Sequence, residues 1–113
     1  MNTVSADSRK SWSVNLDDRV AALEIALLKR TYVLPWNQFV YAVGGDDEVH
    51  AFFATHEVIV KGSGLDQLLT DMAVQRVAVM HEPARADRFS STCGHFIREI
   101  EVRKNEAGQD YQA

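Results

Sequence analysis

The alternation of apolar and polar residues divides this chain into short extended stretches and one clear amphipathic helix. Gln38 to Val43 has the two-residue period of a strand, with Phe39, Tyr41 and Val43 on one face. Gly44-Gly45-Asp46-Asp47 follows as a turn, and Glu48 to Ala54 returns as the partner strand, which makes a hairpin. Thr55-His56-Glu57 interrupts the run before Val58 to Lys61 starts a new or bent strand. Ser63-Gly-Leu-Asp66 then has the spacing of a helix-capping box, and Leu65, Leu68, Leu69 and Met72 follow at i, i+3, i+4 and i+7. This spacing predicts a helix whose leucine stripe is core. Val77 to Glu82 reads as another strand, so the order strand, helix, strand predicts a parallel β-α-β pair. Phe96 to Arg103 closes the body as a half-exposed strand that alternates with Arg98, Glu99, Glu101 and Arg103.

The segment from Leu16 to Arg30 supports two readings. Leu16, Val20, Leu23 and Leu27 fit a helical stripe. Asn15 as a cap, Asp17 and Asp18 in the first turn and Lys29 and Arg30 in the last suit the helix dipole. Leu23, Ile25 and Leu27 also alternate as a strand would, and Thr31 to Leu34 looks extended, so that a hairpin through Lys29-Arg30 would give one meander. The caps and composition tilt the balance to the helix. The expected architecture is a single α+β domain over residues 15 to 104. It has a sheet of about five strands, one amphipathic helix on one face and an optional N-terminal helix, between flexible tails at 1–14 and 105–113.

Composition narrows the functional classes. A chain of 113 residues with 46% hydrophobic and 25% charged residues is one globular domain, and disordered or fibrous readings fall away. A net charge of -4 argues against binding duplex nucleic acid, which needs a dense set of lysines and arginines. The single cysteine, Cys93, makes no internal disulfide, and no window approaches a membrane span or a secretory signal, so the cytoplasm is the expected compartment.

Few residues suggest chemistry. Gly44-Gly45-Asp46 in its hairpin setting resembles the Gly-Gly-Asp/Glu-Glu-Phe turn that holds metal and nucleotide in diguanylate cyclases. The match covers five residues and departs at Glu48, where that family has an aromatic, so an acidic hairpin tip is the simpler reading. Lys61, Gly62, Ser63 and Gly64 lie where a strand meets a helix, a place where backbone N–H groups can hold a phosphate. Arg85 and Arg88, in an aperiodic stretch from Pro83 to His95, could add charge to the same ligand. His56-Glu57 and His81-Glu82 repeat one dipeptide, and Cys93-Gly-His95 adds a soft ligand. No four-ligand zinc spacing exists, so no metal and no cofactor is expected. No nucleophile, acid and base set can be assembled, which ranks an enzyme last.

The expected function is therefore a non-enzymatic protein-binding or assembly module. Its partner is a second copy, giving a homodimer, or another protein, met through the Phe96 to Arg103 strand or the Tyr32 to Tyr41 region with Trp36, Tyr32 and Phe39 as anchors. A small-ligand or phosphate site at Lys61 to Gly64, Arg85 and Arg88 is the alternative.

Overall fold

The computed structural model describes residues 11–84 and 94–105. Its strands are β1 (Trp12–Val14), β2 (Ala22–Ala26), β3 (Thr31–Pro35), β4 (Phe39–Gly44), β5 (Glu48–Phe53), β6 (His56–Ser63), β7 (Val77–His81) and β8 (Phe96–Lys104), with one α-helix, α1 (Asp66–Ala73). They form two four-stranded sheets, ordered β1-β7-β2-β3 and β4-β5-β6-β8, in place of the single sheet of about five strands that the pattern predicts. Apolar alternation tells which face of a strand is buried, not which sheet the strand joins.

The expected N-terminal helix is a hairpin. Leu23 and Ile25 are fully buried while Glu24 between them is exposed, and Leu16, the first residue of the supposed helical stripe, is 80% exposed. Asn15 does cap local amides: its side-chain oxygen accepts from the N–H of Asp17 at 2.9 Å and of Asp18 at 3.2 Å. That is an Asx turn, which offers the backbone an alternative to helix. β2 then pairs antiparallel with β3 around a turn in which the Leu27 N–H donates to the Arg30 carbonyl. The folded body also reaches back to Ser11 and Trp12, which the sequence assigns to a tail. Trp12 is buried opposite Met80, and Ser11 Oγ accepts from the Ile97 N–H at 2.7 Å.

The predicted β-α-β pair is divided between the sheets. β6 belongs to the second sheet, flanked by β5 and β8. β7 crosses to the first sheet, where it runs parallel to β2 and antiparallel to β1. Pro35 ends β3, and the 3-10 turn Trp36–Gln38 carries the chain from one sheet to the other. Trp36 is buried there, donates its ring N–H to the Val77 carbonyl at 3.0 Å, and packs against Phe39 and Phe53.

One core draws on both layers and the helix. Leu23, Ile25, Leu34, Val77 and Met80 come from the first sheet, Val49, Ala51, Phe53, Val58, Val60, Ile97 and Ile100 from the second, and Leu65, Leu68 and Met72 from α1 or its N-terminal flank. Leu69, expected in the same stripe, is half-buried at its edge. The helix begins without the capping box: Ser63 stays in β6 opposite Phe96, Leu65 occupies the cap position with no side-chain bond, and the Asp66 carboxylate accepts from the Gln67 N–H instead. Among the described residues no helix is long and apolar enough to cross a membrane.

Candidate functional site

The glycine turn is built for packing. At Gly62 a Cβ would stand 2.0 Å from the Phe96 carbonyl oxygen, so only glycine lets β8 lie this close to β6. Gly64 has φ +66° and would drive a Cβ to 1.7 Å from the Gly94 oxygen, a left-handed position with no room for a side chain. The Gly62 N–H donates to the Asp47 carbonyl at 3.1 Å and the Leu65 N–H to the Asp46 carbonyl at 2.8 Å. These amides already serve the β4-β5 turn, so Gly44 to Asp47 acts as a buttress for the start of α1. Ser63 sits half-buried in the ladder, and Lys61 is exposed on β6 opposite Glu48 and Glu99. Arg85, Arg88 and Cys93 lie outside the described residues. His56 stands on the second sheet, beside Thr55 and edge-on to Tyr32, whereas His81 ends β7 on the first. Among the described residues no group of His, Cys, Asp and Glu is arranged to hold a metal ion.

The surface that stands out is the β4 end of the second sheet. Among the described residues β4 has a strand beside it only on the β5 side. Its residues, Phe-Val-Tyr-Ala-Val-Gly, include no charge. Phe39 faces Phe53, but Tyr41 faces Phe52, so two steps along β4 match one along β5: a β-bulge centred on Val40. Strict alternation would keep Phe39, Tyr41 and Val43 on one face. The bulge instead leaves Phe39 against the core, in edge contact with Trp36 and Phe53, and turns Tyr41 and Val43 outward. Val40, Tyr41 and Val43 are consequently 62%, 52% and 54% exposed. Tyr41 stacks on Phe52 at 4.7 Å. On the other side of the strand an apolar groove of about 290 Å³ separates β4 from α1, with Val40, Tyr41, Leu69 and Ala73 in its walls.

Next to this edge, the outer face of β5 holds a histidine between two carboxylates. His50 Nε2 meets Glu48 Oε2 at 2.6 Å and Nδ1 meets Glu57 Oε2 at 3.0 Å. The sequence spacing puts Glu48 and His50 on one face, and the register of β5 against β6 brings in Glu57 one row away. These bonds, Glu48 first and Glu57 second, raise the His50 pKa above the ordinary imidazole value, and the same contact lowers that of Glu48. Both ring nitrogens are occupied by different carboxylates, so the cluster is an ion-paired strut on the sheet face. Val43, Phe52 and Ile59 pack around the ring row.

No family model, no curated protein and no solved structure gives a significant match to this chain.

Proposed function

We propose that this chain is a non-enzymatic assembly module that pairs with a second copy of itself through the β4 edge. One observation carries the reading: an edge strand with no charged residue and three large, exposed apolar side chains. Edges of this kind template the addition of another strand unless charge, proline or a covering element protects them. A second copy suits the edge because the chain carries a net charge of -4, and β4 is a stretch where like charges do not meet. Antiparallel pairing about a two-fold axis would join two four-stranded sheets and bring Val40, Tyr41 and Val43 against their counterparts. The single cysteine suits work in a reducing compartment such as the cytoplasm.

Sedimentation equilibrium at micromolar protein tests this. The wild-type chain is expected as a dimer, and Val40→Lys and Val43→Lys as folded monomers whose melting temperature, unlike that of the wild type, does not depend on protein concentration. A wild-type monomer over the whole range overturns self-pairing and redirects the edge to a different protein. A dimer that survives both substitutions moves the interface elsewhere.

A further inference from the structure

Apart from the β4 edge, the chain has a cleft of about 300 Å³ where β1 and α1 meet the entry to β8, lined by Trp12, Val14, Leu16, Gln67, Asp71 and His95. Its polar groups are held in place. The Trp12 ring N–H donates to Asp71 Oδ2 at 2.9 Å, and the Gln67 side-chain amide donates to Oδ1 at 3.0 Å. Two neutral donors thus fix the carboxylate, and each oxygen keeps a further lone pair. No lysine or arginine among the described residues lines the cleft to balance the charge. Across from it, His95 Nδ1 lies 3.0 Å from the Gly64 carbonyl oxygen. A carbonyl only accepts, so Nδ1 carries a hydrogen in this contact. The His95 ring meets the Trp12 ring edge-on at 6.1 Å.

We propose that this cleft binds a small organic cation, an ammonium or amidinium carried on a flat apolar body. The fixed carboxylate supplies the charge and two acceptor positions, which match the paired N–H donors of an amidinium. The exposed His95 ring, edge-on to the buried Trp12 indole, gives the cleft an aromatic side for the ligand's ring. Val14 and Leu16 cover the apolar end. The volume suits a ligand of one ring and one charged group. This site is independent of the β4 edge and stands whether or not the chain pairs with itself.

Benzamidine is the probe, titrated into the full chain by calorimetry and by tryptophan fluorescence. Saturable one-to-one binding is expected. Benzamide, which has the same shape and no charge, should bind about tenfold or more weakly. Asp71→Asn should remove that preference, and because the comparison of the two ligands on the wild-type chain needs no variant, it decides the matter even if Asp71→Asn unfolds. Chemical-shift changes should centre on the Gln67 amide and the His95 ring. Equal affinity for the two ligands, no saturation up to about 10 mM benzamidine, or shifts confined to other carboxylates such as Glu48 and Glu57 would overturn the assignment.

Discussion

The second sheet ends on two strands of opposite character. β8 is nine residues long and carries Arg98, Glu99, Glu101, Arg103 and Lys104, with Arg103 Nε donating to Glu101 at 2.8 Å. β4 is six residues long, uncharged and bulged, and it shows valines and a tyrosine to solvent. Among the described residues each has one neighbouring strand in its sheet. Charge along β8 makes an added strand costly unless it brings a matching pattern, whereas β4 has no such guard. The asymmetry teaches that edge position alone does not mark a docking site. The absence of charge, with three large apolar side chains exposed on one short strand, is what supports the proposed pairing through β4.

Substitutions at these two ends sharpen the contrast. The largest effect is expected beneath β4: Phe53→Ala removes the buried ring that Trp36 and Phe39 pack against, and should cost about 3–5 kcal/mol. A denaturation midpoint close to wild type would mean that β4 is not anchored from within. Gly64→Ala comes next. Its positive φ and the approach of Gly94 should cost about 1–3 kcal/mol or more by displacing the entry to β8, and retention of the full melting temperature would contradict the close packing of that turn.

A smaller effect is expected from pH, through His50. Because its folded pKa is raised, its contribution is fully present below the ordinary imidazole value of about 6.5 and is lost as pH rises through the folded value. Glu48 has the opposite sign: its lowered pKa contributes above the ordinary carboxylate value and is lost as pH falls through the folded one. Stability from this pair should therefore peak in mildly acidic solution, and His50→Gln should flatten the alkaline limb of the thermal-melt profile. An unchanged slope from pH 6 to 9, the interval about the ordinary imidazole value, would remove the strut from the account. Least of all, Glu101→Lys on β8 should leave stability within about 0.5 kcal/mol and leave the sedimentation mass as in the wild type. A change in mass there would shift the interface to β8.

Much of the local structure was legible. The β4-β5 hairpin, the helix over Leu65 to Met72 and the strands at Val77 and Phe96 all follow from periodicity, because each buries one face and exposes the other. Segment 16–30 misled because Leu23 and Leu27 belong to a helical stripe and to a strand alternation at once, and tertiary burial of Leu23 and Ile25 decides between them. The placement of β7 beside β2 was not legible, since its alternation is the same in either sheet. Of the candidate surface, the uncharged run Phe39 to Gly44 was visible in the text. The bulge at Val40 that turns it outward was not, because a bulge leaves no mark in the residue pattern unless glycine supplies one. Lys61 to Gly64 stood out for their glycines, whose cause is the nearness of β8 and not a ligand.

The position of β7 has a consequence in time. Among the described residues β7 alone bridges β1 and β2 in the first sheet, so Trp12 and Met80, far apart along the chain, must meet before that sheet is continuous. The β2-β3 and β4-β5-β6 hairpins are local and can form as soon as their residues are made, while the slot beside β2 stays open until Val77 to His81 arrives. Long-range closure of this kind is slow compared with hairpin formation. Burial of Trp12 should accordingly lag that of the hairpins during refolding, a delay that stopped-flow tryptophan fluorescence of a Trp36→Phe variant would time against the growth of far-ultraviolet circular dichroism. Simultaneous phases would mean that the sheet closes in one concerted step.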